Sequence, residues 1–274
     1  MPNVFRRGFL RLGSAGLACA ISLAHSYAQE PKVSLPEAPV ATQSESTSTT
    51  QDIEISWKQL PKRILHDETD IWLFPTQLAR GRYWIPTLAV AGGTAGLIAA
   101  DPHAMPYFRT HAGNLDDFND GFDGPITSAE IGIVPVAFFI AGQLRHDSYA
   151  TNTGLLAGEA YVNGQIVDFA IKAITRRQRP SEVAPGASFN DTFFNTRKSV
   201  LGSSFPSGHA IGAFSVATVI ARRYGHHRWV PWVAYSCATA ISLSRVTTRA
   251  HFPSDVFLGA ALGYSIARFE VMRH

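Results

Sequence analysis

The chain has 274 residues, which is enough for a leader and one sizeable domain with its own core. Its formal net charge is only +3 and it lacks a lysine-rich signature, which argues against nucleic acid as a partner. Charged residues make up 16%, below the ~25% that is usual for soluble domains, so the composition favours a compact helical enzyme or a membrane-associated one.

Residues 1–28 have the pattern of an export signal. A basic start is followed by an apolar stretch and by the small-residue cleavage pattern SYA at residues 26–28. Arg6 and Arg7 in FRRGFLR resemble a twin-arginine signal, although adjacent arginines also occur by chance in a basic leader. The sequence therefore predicts export to the periplasm.

Residues 29–56 are rich in Ser, Thr, Pro and Glu and form a predicted linker. Such a composition cannot bury enough apolar surface to fold, so we expect a disordered spacer and a folded domain over residues 57–274. Cys237 is the one cysteine left after cleavage, which excludes an internal disulfide in the mature chain. Its apolar neighbours predict a buried, unreactive side chain.

Apolar segments of helical length, with almost no strand alternation, follow the linker and predict an all-α fold. Most hold fewer than the roughly 18 clean apolar residues that a membrane span needs, and several contain polar positions. A bundle of helices buried against each other explains them as well as a membrane does. The predicted bundle has about six core helices, near residues 83–100, 129–144, 153–176, 207–223, 229–244 and 254–270.

A long loop with four aspartates between Asp116 and Asp123 separates the first two predicted helices. Its spacing does not fit a calcium loop, because Phe118 falls where a ligand is required. The sequence favours a solvated loop.

The stretch KAITRRQRP places Lys172 and Arg179 seven residues apart. Two helical turns separate them, so we expect both to project from one face of a helix that ends at Pro180. The pair could bind an anion or simply complement the helix dipole. Arg176 and Arg177 add charge that could attract acidic headgroups or form a solvated helix end.

The stretch SFPSGHAIG has the pattern of a helix start. Ser207 and Gly208 precede an apolar run, and the free backbone N–H groups of such a start can bind an anion. His209 adds a group that can give or take a proton near neutral pH. An ordinary capped helix with a half-exposed histidine is the alternative.

The stretch SRVTTRAHFPSD contains Arg245, His251 and Asp255. Pro253 suits the first turn of a helix, so His251 should lie just before that helix and Asp255 in its opening turn. An aspartate there can accept a hydrogen bond from one imidazole nitrogen and fix the tautomer of the other.

Together and in this order, the three stretches resemble the type 2 phosphatidic acid phosphatase and vanadium haloperoxidase superfamily. KAITRRQRP, PSGH and SRVTTRAHFPSD match its defining positions, and the resemblance extends from about Ala150 to the C-terminus. It implies a helical bundle with a phosphate site that needs no metal or other cofactor.

The resemblance also implies a role for each motif residue. His251 would be the nucleophile that forms a phosphohistidine, oriented by Asp255, and His209 would protonate the leaving oxygen and then activate water. Cations and helix-start amides would hold the phosphate, and they belong to Lys172, Arg179, Arg245, Ser207 and Gly208.

The expected protein is an exported, metal-independent phosphatase that acts on phosphate monoesters or pyrophosphates, lipid-linked ones such as phosphatidic acid or an isoprenoid pyrophosphate above all. We expect it to be soluble or held at a membrane surface. A phosphatase for small soluble phosphate esters is one alternative. A vanadate-dependent haloperoxidase is another, although the chain lacks the large added helical region of such peroxidases. A non-catalytic anion-binding protein would not need the full set of nucleophile, acid and aspartate. Phe193 and Phe194 could contact an apolar substrate tail or simply pack.

Overall fold

The described part of the chain is helical and contains no strand, which confirms the predicted all-α class. Ile55 already packs into the core, and its amide donates to Asn152 Oδ1 at 3.2 Å. The predicted export signal and most of the predicted linker lie outside the described residues. The computed structural model describes residues 55–111, 115–119, 121–122, 124–195 and 199–273.

Six helices form the bundle over these residues, and three further helices precede or connect them. The further helices are α1 (Leu60–Trp72), α2 (Phe74–Ala79) and α4 (Asp116–Asn119). The bundle helices are α3 (Trp84–Thr110), α5 (Gly124–Arg145), α6 (Ser148–Thr175), α7 (Gly208–Arg223), α8 (Val230–Thr247) and α9 (Pro253–Ser265). A π-helical turn (Ile266–Glu270) and a 3-10 turn (Val271–Arg273) follow α9.

Helix α7 lies at the centre of the bundle and packs against α5, α6, α8 and α9. Helix α3 packs on α9, and α1 packs on α6. The end of α6 and the starts of α7 and α9 lie together, since Thr175 Oγ1 donates to the carbonyl of Phe205 at 2.9 Å and the Ser207 amide donates to the carbonyl of Asp255. The three motifs therefore meet at one end of the bundle.

Two glycines let α9 approach α7 closely. A Cβ at Gly259 would lie 2.7 Å from the carbonyl oxygen of Ser207. A Cβ at Gly263, one turn later, would collide with the carbonyl of Ile211. This approach holds the start of α7 against the first turns of α9.

The loop predicted after residue 100 is largely helical. Helix α3 continues through Pro102 and Pro106 to Thr110, and α4 covers part of the remainder. Packing overrides the prolines, because Met105 and Phe108 bury their side chains in a small core. That core also contains Val183, Phe189 and Phe252. The side chains of the four aspartates lie outside the described residues.

The prediction that Cys237 is buried is wrong, because this side chain is exposed on α8. The neighbouring Ser236 and Thr239 are exposed as well, whereas Ala238 and Ser242 face the bundle. A helix that is apolar around most of its circumference gives little sign of which face turns inward.

Candidate active site

Lys172 lies in the last turn of α6, where its ammonium is held by a carboxylate. Its Nζ is 2.7 Å from Asp168 Oδ2, one turn earlier, and both side chains are buried. Helix α6 ends at Thr175, and Arg176 adopts the left-handed conformation, with φ of 41°. The positive charge of Lys172 is thereby fixed at the end of the bundle where the motifs meet.

The prediction that Lys172 and Arg179 share one helical face is wrong. Arg179 is extended, with φ of −75° and ψ of 148°, and precedes a 3-10 turn. The left-handed residue after Thr175 has already ended the helix, and a residue before proline avoids the helical region. The loop still brings Arg179 to the site, because its positive charge lowers the pKa of Asp168 and the pKa of His251.

The helix start predicted at Ser207 is confirmed. Ser207 caps α7 by accepting a hydrogen bond from the Ala210 amide at 3.4 Å. Gly208 follows against α6, where a Cβ would lie 2.9 Å from Asp168 Oδ2. A larger residue at position 208 would therefore push α7 away from the carboxylate that holds Lys172.

His209 points toward α5, where its Nε2 lies 2.9 Å from Ser128 Oγ. The imidazole is half-buried. Ser128 was not predicted as a site residue, since it belongs to none of the three motifs. Helix α5 thus supplies a partner for the histidine at the start of α7.

His251 is buried, and its Nδ1 lies 2.6 Å from the carbonyl oxygen of Ser204. A carbonyl can only accept, so Nδ1 carries the hydrogen and Nε2 carries the lone pair in the neutral ring. The expected hydrogen bond to Asp255 is replaced by this contact, because Asp255 Oδ2 lies 3.6 Å from Nδ1, beyond hydrogen-bond distance. The backbone therefore fixes the tautomer.

Asp255 occupies the first turn of α9, as predicted, with Pro253 at the start of the helix. Its carboxylate accepts the amide of Phe252 at 2.8 Å and the hydroxyl of Ser204. The same carboxylate accepts Arg177 Nη1 at 2.6 Å. Asp255 thus connects Ser204, whose carbonyl contacts His251, with Phe252, the residue that follows His251.

Arg245 is buried near the end of α8 and supports His251 through its backbone. Its carbonyl accepts the amides of Ala250 and His251, each at 3.0 Å. Its guanidinium donates to Ser244 Oγ at 3.1 Å and to the carbonyl of Phe122.

Burial is the main cause that lowers the pKa of His251 from its ordinary value of 6.5. The neighbouring Asp255 carboxylate opposes this effect, whereas the positive charges of Lys172 and Arg179 add to it. The ring is therefore neutral near pH 7 and holds its Nε2 lone pair.

The loop between α6 and α7 contains both buried and exposed side chains. Arg177 is only 1% exposed, which excludes the solvated helix end considered for it. Phe193 packs with Phe205 at a ring distance of 5.4 Å and with the Arg177 guanidinium at 4.4 Å. Phe194 remains exposed.

Among the described residues, no group of three or more His, Cys, Asp or Glu side chains is placed to hold a metal ion. The charges next to His251 are instead the side-chain cations of Lys172 and Arg179 and the carboxylates of Asp168 and Asp255.

Several curated proteins are similar to parts of this chain. Lipid A 1-phosphatase from Porphyromonas gingivalis is 39% identical over 62 residues, which are 22% of this chain and 14% of that protein. Decaprenylphosphoryl-5-phosphoribose phosphatase from Mycobacterium tuberculosis is 32% identical over 112 residues, which are 41% of this chain and 56% of that protein. The chain therefore spans little more than half the length of the mycobacterial relative and much less of the lipid A phosphatase.

A solved structure and a family description complete the comparison. The transmembrane PAP2 type phosphatidylglycerolphosphate phosphatase from Bacillus subtilis is 21% identical, with a TM-score of 0.40 over 76% of this chain and 95% of that one. The sequence model of the PAP2 superfamily matches residues 153–273, which include all three motifs. Over residues 153–273, which are somewhat less than half of its length, this chain is therefore similar to the PAP2 superfamily.

Proposed function

We propose that this protein is a metal-independent phosphatase that cleaves phosphate monoesters or pyrophosphates, lipid-linked ones above all, through a phosphohistidine on His251. The observation that carries the proposal is the 2.6 Å contact between His251 Nδ1 and the Ser204 carbonyl. With the hydrogen on Nδ1, the free lone pair of the ring lies on Nε2, which we propose as the nucleophile.

In the first step, the Nε2 lone pair of His251 attacks phosphorus while the bond from phosphorus to the leaving oxygen breaks. His209 donates its proton to that oxygen, so that the product departs as an alcohol from a monoester or as a protonated phosphate ester from a pyrophosphate. The Nδ1 hydrogen stays on the ring, which becomes cationic as the bond to phosphorus forms.

In the second step, His209 has lost its proton and acts as a base. It takes a proton from water, the resulting hydroxide attacks phosphorus, and the bond from Nε2 to phosphorus breaks. Inorganic phosphate leaves, and both histidines return to their starting states.

Fixed charges supply the stabilisation that a phosphoryl group in transfer needs. Its three equatorial oxygens carry negative charge, and cations that are already in place lower the barrier without rearrangement. We assign this role to Lys172, Arg179 and Arg245, together with the backbone amide of Gly208. The amide of Ser207, which the sequence predicted as a further donor to phosphate, instead donates to the carbonyl of Asp255 at 3.0 Å. The buried Asp168 keeps the Lys172 ammonium in position.

A lipid-linked substrate is supported by the surface of the bundle. Helix α5 carries an exposed apolar stripe that contains Ile133, Val136, Ile140 and Leu144. Residues Ile126–Arg145 of this helix are long and apolar enough to cross a membrane, and only 28% of that stretch is buried in the bundle. A core helix of a soluble protein would be mostly buried, so we propose that this face lies against lipid.

Exposed aromatic residues at the opposite end from the motifs support the same placement. Trp84 opens α3, Trp229 and Trp232 flank the start of α8, and Phe269 follows α9. Aromatic side chains of this kind concentrate where a membrane meets water. With residues 1–28 as an export signal, we propose that the protein works at the periplasmic face of a membrane.

The activity test uses the purified protein in EDTA with several phosphate esters. The panel contains phosphatidic acid, phosphatidylglycerol phosphate, an isoprenoid pyrophosphate, lipid A and a small soluble monoester. We expect phosphate release from at least one lipid, loss of that release in His251→Ala, and normal release in His226→Ala, which removes an exposed histidine. Release from the soluble ester alone would contradict the lipid assignment, and no release from any would refute the function.

The membrane placement is tested by fractionation. The sequence favoured a soluble or surface-held protein, whereas the exposed apolar face of α5 leads us to propose closer membrane contact. We therefore expect the protein to stay in the membrane pellet after a carbonate wash and to need detergent for release. Recovery in the wash would show that the apolar face of α5 does not contact lipid.

A further inference from the structure

Arg177 is a buried cation that joins two carboxylates. Its Nη1 lies 2.6 Å from Asp255 Oδ1, and its Nη2 lies 2.7 Å from Asp101 Oδ2. Nε donates to Thr192 Oγ1 at 3.1 Å, and Nη1 also donates to Ser254 Oγ at 2.7 Å. Each nitrogen of the guanidinium therefore has an acceptor.

The plane of this guanidinium is fixed as well. Its central carbon lies 3.7 Å from the ring centre of Phe252 and 4.4 Å from that of Phe193. A buried arginine with this many partners holds one orientation.

Asp101 belongs to α3, which precedes the segment that matches the superfamily, residues 153–273. Its side chain is completely buried and also accepts the hydroxyl and the amide of Ser254, at 2.5 and 3.3 Å. Asp101 makes no direct hydrogen bond to His251, and its link to that ring runs through Arg177 and Asp255.

The charges of Arg177, Asp101 and Asp255 do not cancel. Two carboxylates and one guanidinium leave one net negative charge beside the neutral His251 ring. In the proposed reaction the ring becomes cationic when Nε2 bonds to phosphorus, and a buried cation needs a nearby negative charge. With Arg177 alone beside Asp255, that negative charge would be cancelled.

We propose that Arg177 and Asp101 are positioning residues for His251: Arg177 holds the Asp255 carboxylate, and Asp101 neutralises Arg177 so that Asp255 can stabilise the cationic ring. The inference deepens the proposed function and rests on it. It assigns a part in the reaction to a residue outside the three motifs.

The test compares Asp101→Asn with the double variant Asp101→Asn/Arg177→Gln. The single variant leaves Arg177 to cancel Asp255, so the pKa of His251 should fall by about one unit. The double variant removes both opposite charges, and the Phe252 amide and the Ser204 hydroxyl still hold the Asp255 carboxylate. The pKa should therefore return to within a few tenths of a unit of the wild-type value. Other groups whose charges act on His251 are Lys172, Arg179 and Asp168, and they are unchanged in both variants.

The first readout is the titration of the His251 imidazole by NMR in the full chain, with the signal identified by its loss in His251→Ala. The second is the acid limb of the pH profile of kcat/KM, which should move in parallel. Asp191→Asn is the matched control, because it removes an exposed carboxylate of the loop that contains Arg177. It should leave both the His251 titration and the acid limb unchanged.

A purely structural role predicts a different pattern. Both variants would lose activity, and the His251 titration would stay in place or shift equally in both, which would overturn the proposal. Should Asp101→Asn not fold, the double variant tests the idea alone, because a shift of one unit from wild type in either direction contradicts it. The NMR titration needs no turnover, so a protein without phosphatase activity would refute the proposed function and still test this inference.

Discussion

Replacing Gly259 with alanine should damage the active site, although Gly259 itself has no part in the proposed chemistry. The added Cβ would lie 2.7 Å from the carbonyl oxygen of Ser207, the residue that caps α7. The contact must open by about 0.7 Å to reach an ordinary van der Waals distance. Neither atom can rotate away, because the Cβ is fixed to the backbone of α9 and the oxygen belongs to the backbone before α7. The start of α7 must therefore move away from α9, which carries Asp255.

The size of the effect follows from this displacement. Overpacking of a close helix contact costs about 1–3 kcal/mol of unfolding free energy. A displacement of 1 Å between reacting groups can cost ~100-fold in rate, so a displacement of about 0.7 Å should lower kcat roughly 25-fold.

Gly92→Ala is the matched control, because a Cβ at this exposed position of α3 meets nothing within 4 Å. It should retain full activity, and its helix should gain up to about 1 kcal/mol from the higher helix propensity of alanine. Thermal unfolding and steady-state hydrolysis of nitrophenyl phosphate measure both effects. A Gly259→Ala protein with the wild-type kcat and the wild-type unfolding temperature would refute the argument.

Three further predictions concern the chemistry. Activity should persist in EDTA and be inhibited by orthovanadate, whose five-coordinate form resembles the transition state; loss in EDTA with recovery on adding a divalent ion would contradict the metal-free site. The acid limb of kcat/KM should lie below pH 6.5, because burial lowers the pKa of His251 and the nucleophile stays neutral until the pH falls through that lowered value. A limb above pH 6.5 would show that the ring is not desolvated as described. His209→Ala should slow alkyl phosphates more than nitrophenyl phosphate, since a nitrophenolate leaves without a proton; equal losses would remove His209 from the role of acid.

Local signals in the sequence predicted the elements that carry the site. Ser207 caps a helix because a serine before an apolar run satisfies its free amides. Pro253 starts α9 because its fixed φ suits the first helical position, and this places Asp255 in the opening turn. Both predictions rest on interactions within a few residues, which a single sequence displays.

Contacts between distant segments were not predictable in the same way. Asp101 reaches Ser254 across 153 positions, and nothing in its neighbourhood distinguishes it from a surface aspartate. Ser128 meets His209 only because α5 packs beside α7. The Ser204 carbonyl, which fixes the tautomer of His251, belongs to the backbone and leaves no trace in the residue type.

The spacing of Lys172 and Arg179 shows how a correct residue can be reached by a wrong route. Seven positions predicted one helical face, whereas α6 ends at Thr175 and Arg179 arrives on an extended loop. The positive charges of both residues still lower the pKa of the same histidine, His251. The spacing therefore reflects the path of the loop around the end of α6.

Direct trapping of the phosphoenzyme tests the central claim, that His251 takes the phosphoryl group. His209→Ala should accumulate it when mixed with nitrophenyl phosphate, since the first step proceeds without the acid while hydrolysis has lost its base. Rapid quenching followed by mass spectrometry under neutral conditions should find one acid-labile phosphate on His251, and none in the His209→Ala/His251→Ala double variant. Phosphate on another residue, or a phosphoenzyme that persists without His251, would contradict the assignment of the nucleophile.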